Sequence, residues 1–409
     1  MFTKRRALGL AAAAATALMV VTAWSAGAQE PTAAQAPDRG LYRVTGAQDA
    51  QDRTAVANSG VDVLGARDGA MEVVASPTQA DVLRKQGLTV ELTGDFAKLL
   101  DERSGDPATR DVSAADFPAG DEGYHTHDEM LAEISAAATD HAAIVSKSSI
   151  GSSFEGRDLP LLKISDNVGT DEAEPEVLFT CNMHAREHLT LEMCLHTIQR
   201  FTDGYGTDPT VTGFVDSREI YVIPQQNPDG AEFDISGGEY QGWRKNRQPN
   251  SDGSVGTDIN RNFAYNWGCC GGSSGSPSSE TYRGPSAVST PEVAAVQAFV
   301  DSRVVGGVQQ IKAHIDFHTF SELVLWPFGY TFDTVTDGMT QEEYQRFQDI
   351  GTQMAGSNGY TPMQSSGLYI TDGDINDWMW GQHKVLSYCF EMYPSGGGID
   401  GFYPPDEDI

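Results

Sequence analysis

The sequence predicts an α/β protein in which a twisted, mixed, largely parallel sheet carries helices on both faces and is preceded by a smaller domain. After about residue 124, near-continuous apolar strands alternate with helical segments, as in sheets that are buried on both faces. Before about residue 110, shorter strands and helices lead into a polar stretch rich in Gly and Pro. With 409 residues, 39% of them hydrophobic, the chain is long enough for both parts.

Residues 1–28 have the composition of a signal peptide. Lys4, Arg5 and Arg6 are followed by an uncharged, Ala-rich stretch, which ends in "AGA" before Gln29. We therefore expect the protein to be secreted to the extracellular space, and the Arg5–Arg6 pair leaves a twin-arginine route open. The rest of the sequence contains no further transmembrane candidate, so no stable membrane association is expected.

Residues 29–110 are predicted to form a small domain. Its segments alternate as strand, helix, strand, strand, helix and strand, at 41–46, 47–60, two strands within 61–76, 77–87 and 88–94. This order is typical of a ferredoxin-like fold. No catalytic constellation lies in it.

Residues 101–123 form a polar segment rich in Gly, Pro and Asp, and residues 111–123 of it are predicted to be the linker to the domain at 124–409. Arg103 and Arg110 are expected to be exposed protease targets in the segment 101–123. A chemically silent domain before a cleavable linker predicts a propeptide.

In residues 124–409 the polar residues of interest follow apolar strands. His184, Asn227, His318 and Glu391 lie at or near the carboxyl ends of four strands. Ligands of such sheets bind beyond these strand ends. The pattern therefore favours a ligand-binding or catalytic role for these polar residues over a role in core packing.

The corner at residues 177–201 joins a strand to a helix and carries His184, Arg186, Glu187 and His188. The letters match the H-x-x-E-H motif of zinc peptidases, which requires both histidines on one helix. Because His184 follows the strand "EVLFTC" closely, we instead expect His184 to end the strand and Glu187 to begin the helix. A catalytic zinc would then need a third protein ligand and an open position for water.

His318, in "DFHTF" at the end of a later strand, is the best candidate for that third ligand. The remaining histidines of the nine in the chain are assigned surface or packing roles. His314 is read as a buried, hydrogen-bonded residue, and a supporting role behind the site is left open for His188.

Seven motifs, in order, resemble those of zinc metallocarboxypeptidases. They are "NMHARE" (182–187), "NPDG" (227–230), "WRKNR" (243–247), "TDINRNF" (257–263), "ETYRG" (280–284), "HTFSELVLWPFG" (318–329) and "CFEMYP" (389–394). The chain resembles the pancreatic A/B-type group and, most of all, its secreted bacterial carboxypeptidase T-like members. The resemblance implies a zymogen of a zinc exopeptidase that removes C-terminal residues from peptides and proteins and is inhibited by its own propeptide.

The same resemblance implies roles for individual residues. One zinc ion would be held by His184, Glu187 and His318, and Glu391 would act as general base. Arg247 would stabilise the oxyanion of the tetrahedral intermediate.

Substrate binding is implied for a second group of residues. Asn260 and Arg261 would bind the terminal carboxylate of the substrate, because a planar guanidinium can hold both oxygens. Tyr369 would cap that carboxylate, and Arg186 and Arg244 would contact the neighbouring subsites.

Side-chain preference is implied by the residues that follow Tyr369. The position that is apolar in A-type and acidic in B-type enzymes is Asn376, while Asp374 resembles the T-like enzymes of mixed preference. We therefore expect cleavage after hydrophobic and basic C-terminal residues, unless Asp374 merely closes a turn. Two departures from the group are Phe320, where a tyrosine is common, and the end at "GFYPPDEDI", where a final helix is expected to be missing.

Composition restricts the partners. The net charge of −31 excludes a nucleic acid or an anionic membrane surface, and a monomer is expected. Clustered surface carboxylates can bind calcium, and whether the protein has a structural calcium ion is left open by the composition. The five cysteines fit an oxidising compartment and leave one unpaired. Cys269 and Cys270 lie in a Gly/Ser-rich loop from which outward bridges form easily, and the connectivity stays open.

Two other functions stay open. A peptide-binding protein without turnover would be marked by loss of the base or of a zinc ligand. A cell-wall or endo-acting peptide hydrolase on the same fold would be expected to lack the pair Asn260 and Arg261.

Overall fold

The structure, a computed structural model, describes residues 37–67, 69–106 and 116–406. The predicted signal peptide and Arg110 lie outside these residues, and the predicted domain boundaries stay predictions. Within the described ranges, no helix is long and apolar enough to cross a membrane.

The N-terminal part has the element order that the sequence predicts. Its elements are β1 (Gly40–Thr45), α1 (Ala50–Ala57), β2 (Asp62–Arg67), β3 (Ala70–Ala75), α2 (Pro77–Lys85), β4 (Thr89–Asp95) and an additional helix, α3 (Phe96–Arg103). The four strands form an antiparallel sheet in the order β2-β3-β1-β4. Ser76 and Gln79 form a capping box at the start of α2. The ferredoxin-like pattern is confirmed.

The segment after β4 begins with helix α3. Asp95 caps α3 by accepting the N–H groups of Ala97 (3.1 Å) and Lys98 (3.3 Å). Arg103 at the end of α3 donates to the carbonyl of Tyr403 at 2.8 Å and pairs with Asp121 at 2.7 Å, and its side chain is 19% exposed. Arg103 is therefore not the exposed protease target that the sequence predicts.

The larger part contains ten strands and eight α-helices in its described residues. They are α4 (His127–Asp140), β5 (Val145–Ser152), β6 (Asp158–Ile164), β7 (Glu176–Thr180), α5 (Leu189–Gly204), α6 (Pro209–Val215), β8 (Glu219–Ile223), α7 (Pro228–Asp234), α8 (Pro291–Ser302), β9 (Val304–Val305), β10 (Val308–Gln309), β11 (Ile311–Thr319), β12 (Leu323–Trp326), α9 (Gln341–Asn358), β13 (Thr361–Gln364), α10 (Ile375–His383), β14 (Leu386–Met392) and α11 (Ile399–Phe402).

Eight of these strands form one mixed sheet in the order β13-β12-β14-β11-β7-β8-β6-β5. The four central strands β14, β11, β7 and β8 pair in parallel, and antiparallel pairs flank them on both sides. Both faces of the sheet are covered, as β8 illustrates. Ile220 and Val222 pack into a core with α4 and α5, whereas Tyr221 and Ile223 pack into a core with α8 and α10. The predicted fold class is confirmed.

The N-terminal sheet packs against the larger part through one apolar face. Leu41, Leu64 and Val74 share a core with Phe320 and Tyr403, among others. The opposite face of the same sheet packs on α1 and α2. The small domain therefore covers part of the larger one in the full chain.

Candidate active site

His184 and Glu187 lie in the connection between β7 and α5, residues 181–188. The side-chain amide of Asn182 fixes this loop by donating to the carbonyls of His184 (3.3 Å) and Glu187 (3.4 Å). Asn182 has a φ of 50°, a conformation that asparagine adopts more readily than most residues. Because β7 ends at Thr180 and α5 begins at Leu189, His184 does not end the strand and Glu187 does not begin the helix. His184 and Glu187 both precede the helix, so the helical H-x-x-E-H geometry is excluded.

The side chains of His184, Glu187 and His318 converge on one small volume. Glu187 places its carboxylate oxygens 2.9 Å from the Nδ1 atoms of His184 and of His318, and these two Nδ1 atoms are 3.1 Å apart. All three side chains are buried. Two imidazoles and one carboxylate are a donor set of catalytic zinc sites, so these residues fit the metal.

Each histidine is backed by a further carboxylate on its other nitrogen. His318 Nε2 lies 2.7 Å from Asp316, and His184 Nε2 lies 3.3 Å from Asp258. Such partners orient an imidazole and leave its other nitrogen available to a metal. Sequence reasoning missed both aspartates: "DFHTF" holds a signal for Asp316, but nothing near His184 in the chain points to Asp258.

Glu391 faces the same cleft from β14, where it is the register partner of His318 on β11. Burial raises the pKa of Glu391 to about 7, although the nearby His318 opposes this shift. For Glu187, burial favours a raised pKa, but His184 and His318 outweigh it and lower the pKa. The two carboxyl groups therefore differ in basicity, and Glu391 is the one that lines the cleft. We call His184, Glu187, His318 and Glu391 the metal wall.

The same cleft is also lined by Asn260, Arg261, Tyr369 and Asp374, which we call the substrate wall. Asn260 and Arg261 lie in a 3₁₀ turn, Ile259–Arg261, that Asp258 caps. Arg261 donates through Nε to the carbonyl of Gly272 (3.0 Å) and through Nη1 to the carbonyl of Asn260 (2.7 Å). Two of its five N–H donors are thus used to orient the guanidinium.

Arg244 reaches the cleft and Arg247 does not. Arg244 donates to Asp258 from Nη2 (2.9 Å) and Nε (3.2 Å), and Asp258 in turn lies beside His184. The guanidinium carbon of Arg247 instead lies 3.6 Å from the ring centre of Phe233 and 4.7 Å from that of Trp243. The prediction that Arg247 stabilises the oxyanion is therefore wrong, because its side chain packs on aromatic rings outside the cleft lining.

Arg186 is fully buried and paired with the N-terminal domain. Its Nη1 and Nη2 donate to the two carboxylate oxygens of Asp62 on β2, at 2.7 and 2.9 Å, and its guanidinium carbon lies 4.2 Å from the ring centre of Phe402. In the full chain Arg186 is therefore engaged by Asp62, while its predicted subsite contact with substrate stays a prediction.

Asp374 combines the two alternatives that the sequence left open. It caps α10 by accepting the N–H of Asp377 (2.8 Å), accepts the hydroxyl of Thr371 (2.7 Å), and lines the cleft as well. Burial raises its pKa. Asn376 also borders the cleft, where its amide donates to Ser387 at 2.8 Å. Burial likewise raises the pKa of Tyr369, against the opposing charges of Arg261 and Arg244.

The two remaining histidines of interest do not join the metal wall. His314 is buried and hydrogen-bonded to Thr180 and Ser387, at 2.9 and 2.8 Å, which agrees with its expected role. His188 contacts Asp234 at 2.9 Å and packs edge-on against Phe117. His188 is therefore part of the packing at the start of α5.

Four cysteines form two disulfides in the structure, Cys181–Cys194 and Cys269–Cys270, and Cys389 is a buried free thiol. The first disulfide joins the loop after β7 to α5 and so braces the corner that carries His184. The sequence left the connectivity open, and in the structure the neighbours Cys269 and Cys270 bond to each other.

The chain matches the zinc carboxypeptidase family over residues 130–409. It is 52% identical to a zinc carboxypeptidase of Saccharothrix mutabilis subsp. capreolus, over 100% of this chain and 93% of that protein. It is 33% identical to carboxypeptidase A2 of Rattus norvegicus, over 70% of this chain and 66% of that protein.

A solved structure shares the fold. The carboxypeptidase A from Helicoverpa armigera has a TM-score of 0.74 to this chain at 23% identity, and the match covers 91% of this chain and 93% of that one. Together with the sequence matches, the convergent His–Glu–His group places the chain in the zinc carboxypeptidase family. It is a zinc-dependent exopeptidase related to the pancreatic carboxypeptidases A and B.

Proposed function

We propose that this chain is the secreted precursor of a carboxypeptidase that cleaves hydrophobic and basic C-terminal residues, with zinc held by His184, Glu187 and His318. The observation that carries the proposal is that one cleft is lined both by residues of the metal wall and by a guanidinium, that of Arg261. A metal site and a fixed positive charge in one cleft are suited to a peptide bond next to a free carboxylate.

The metal wall supplies the groups for hydrolysis. Zinc, when bound, acts as a Lewis acid that polarises the scissile carbonyl and lowers the pKa of a bound water. Glu391 would take a proton from the attacking water and deliver it to the leaving amine, a role that a pKa of about 7 suits. Arg244, which Asp258 holds beside His184, is the better candidate for stabilising negative charge on the carbonyl oxygen.

The substrate wall would restrict cleavage to the last residue. Arg261 and Asn260 bind the terminal carboxylate, and Tyr369 closes over it. A charged guanidinium favours a carboxylate over a neutral amide, so peptides with blocked C-termini lose this interaction. The complete metal wall disfavours a binding protein without turnover, and the position of Arg261 disfavours an endo-acting hydrolase.

Substrate preference would be set beside this clamp. Leu325 and Leu368 contribute apolar surface to the cleft lining, and Asp374 contributes a carboxylate. An apolar pocket accepts a Phe or Leu side chain, while Asp374 would offer Lys or Arg a charge-assisted hydrogen bond. This combination supports a mixed preference.

Contacts of the N-terminal domain support latency. Asp62 engages Arg186, and Arg53 of α1 donates to the carbonyls of Gly367 (2.6 Å) and Leu368 (2.7 Å), next to Tyr369. The domain thereby holds the loop that carries Tyr369 and hinders substrate entry. Cleavage between the domains would release both contacts.

Secretion is supported by the disulfide Cys181–Cys194, which suits an oxidising compartment. For calcium, carboxylate oxygens of the half-buried residues Asp166, Glu172 and Glu174 lie within 4.8 Å of one another, and oxygen atoms are the ligands that calcium prefers. The monomeric state and calcium binding remain predictions from the sequence.

The decisive experiment compares blocked dipeptides that end in a free acid with the same dipeptides ending in an amide. We expect the zinc-loaded protein, activated by limited proteolysis, to cleave the acids and to spare the amides. Chelation should abolish the activity and added zinc should restore it. Equal cleavage of acids and amides would contradict an exopeptidase that binds the terminal carboxylate.

A further inference from the structure

A buried carboxylate, Asp372, supports the substrate wall without lining the cleft. Asp372 lies between Tyr369 and Asp374 in the chain and is 0% exposed. Its Oδ2 accepts the N–H groups of Cys270 (3.0 Å) and Gly272 (2.9 Å), and its Oδ1 accepts the hydroxyl of Ser273. Three donors from one short loop are therefore held by a single side chain.

The loop that Asp372 holds is also the loop that orients Arg261. The carbonyl of Gly272, whose N–H is bound to Asp372, accepts the Nε–H of Arg261 at 3.0 Å. A shift of Gly272 would therefore move the acceptor of this bond. The chain of contacts from Asp372 to the Arg261 guanidinium runs through the backbone of one residue, Gly272.

Close backbone packing makes this arrangement rigid. A Cβ atom on Gly272 would lie 2.2 Å from the carbonyl carbon of Thr371, and one on Gly373, which has a φ of +69°, would lie 2.6 Å from the carbonyl oxygen of Arg261. The carbonyl of Gly373 also accepts the N–H of Phe263 at 2.9 Å. The segment around Thr371 and Gly373 therefore contacts both the Gly272 loop and the Arg261 turn through backbone atoms, and only glycine fits at positions 272 and 373.

We propose that Asp372 is a positioning residue for the binding of the substrate carboxylate, acting through residues 270–273 on Arg261. This inference rests on the proposed role of Arg261. A bidentate pair between guanidinium and carboxylate requires a fixed plane, so loss of the Gly272 acceptor weakens binding even though Arg261 keeps its charge. The disulfide between Cys269 and Cys270 restricts the start of the same loop.

Asp229 provides a matched control. It is a buried carboxylate that accepts a serine hydroxyl, from Ser153 at 2.6 Å, and a backbone N–H, from Glu155 at 2.7 Å. It lies outside the cleft lining. Asp229 also accepts a hydrogen bond from Nη1 of Arg157 at 2.8 Å, so Asp229→Asn removes a buried carboxylate charge, together with this ion pair, at a position that does not support Arg261.

The test uses the full chain, loaded with zinc and activated by limited proteolysis. For Asp372→Asn we expect KM for a blocked dipeptide acid to rise about ten-fold, with kcat changed less than about two-fold. Affinity for phenylpropanoate, measured by calorimetry, should fall by a similar factor, and the preference for acids over amides should shrink. Ser273→Ala, which removes one donor and is milder for folding, should shift KM about three-fold in the same direction.

Asp229→Asn should lower stability and leave the acid-to-amide preference unchanged. The positioning role would be overturned if Asp372→Asn and Ser273→Ala behaved in the same way, or if Asp372→Asn lowered kcat on acids and amides equally. Arg261→Ala distinguishes failure of the proposed carboxylate clamp from failure of the positioning role of Asp372. If it leaves the preference for acids intact, the proposed clamp itself fails; if it removes the preference and Asp372→Asn does not, only the positioning role fails.

Discussion

The two walls of the cleft are built in different ways. On the metal wall, His318 and Glu391 belong to adjacent parallel strands, and His184 and Glu187 lie in the loop that follows a third strand, β7. The substrate wall consists of a 3₁₀ turn and loops, which are joined by side-chain bonds such as that from the Ile375 N–H to Asn260 Oδ1 at 3.0 Å. Ladder hydrogen bonds thus fix the position of His318 and Glu391, while side-chain contacts within loops fix His184, Glu187 and the groups that select the substrate.

This difference suggests how each wall responds to change. A side chain on a strand keeps its place when it is replaced, because the backbone ladder does not depend on it. A loop side chain often holds the loop itself, as Asp374 does by capping α10. Substitutions at His318 and Glu391 should therefore remove chemistry without moving the backbone, whereas those on the substrate wall should alter binding in graded steps.

Glu391→Gln should give the largest effect. It removes the base from the metal wall and leaves the three proposed zinc ligands in place, so kcat should fall by about 10³-fold while zinc stays at one ion per chain. Metal analysis and steady-state kinetics on the activated protein check both parts. As a control, His318→Ala should lose zinc and activity together. Loss of zinc from Glu391→Gln would contradict the separation of base and ligands.

Arg244→Ala should rank second. If Arg244 stabilises negative charge on the carbonyl oxygen, kcat/KM should fall by about 10²- to 10³-fold, mostly through kcat. Arg247→Ala is the matched control from the same motif, and because its guanidinium packs on Phe233 outside the cleft lining, activity should change less than about three-fold. The reverse ranking would restore the assignment made from the sequence.

Sequence reasoning reached the metal wall because strand ends carry a strong signal. Apolar strands locate their own carboxyl ends, and parallel neighbours bring those ends together, so His184, His318 and Glu391 could be grouped without a structure. The ferredoxin-like domain could also be predicted from the sequence, because the alternation of apolar and polar residues in strands and the residues that cap helices are local features. The resemblance to zinc carboxypeptidases added Asn260, Arg261 and Tyr369.

The failures of prediction concern irregular segments and distant pairs. Two arginines in "WRKNR" lie three residues apart, and no periodicity in that irregular stretch tells which one faces the cleft. The pairing of Arg186 with Asp62 joins residues from different domains. Asp258, which links His184 to Arg244, lies far from both in the chain. Such contacts depend on how loops pack, which local patterns do not encode.

Latency should depend on the substrate wall rather than on the metal wall. The N-terminal domain bonds to the carbonyls of Gly367 and Leu368 and to the N–H of Ile370, which flank Tyr369. We therefore expect the uncleaved precursor to bind zinc stoichiometrically and still to be inactive. A precursor that lacks zinc, or one as active as the trimmed form, would contradict the prediction that the N-terminal domain blocks the substrate wall and leaves the metal wall free.

Asp62→Ala should weaken that latency. It leaves the buried Arg186 without its bidentate partner and so loosens the domain contact, since an unpaired buried charge costs about 3–5 kcal/mol. Hydrolysis by the uncleaved precursor should rise by about 10- to 100-fold. Asp81→Ala is the control, because it breaks an exposed ion pair with Arg84 and should leave latency unchanged. Equal leakage from both variants would indicate general destabilisation of the domain.

The smallest effect is expected at Asp374. Asparagine caps helices about as well as aspartate, so Asp374→Asn should keep the start of α10 intact and remove only the negative charge from the cleft. A partly solvated pair with a substrate Lys or Arg contributes about 1–3 kcal/mol, so kcat/KM for C-terminal Lys and Arg should fall about ten-fold, with Phe and Leu almost unchanged. Competition between Arg- and Phe-ended dipeptides in one reaction measures this ratio directly. Equal losses on both substrates would mean that Asp374 only stabilises its loop. Substitutions on the substrate wall would then weaken binding without changing which C-terminal side chain is preferred.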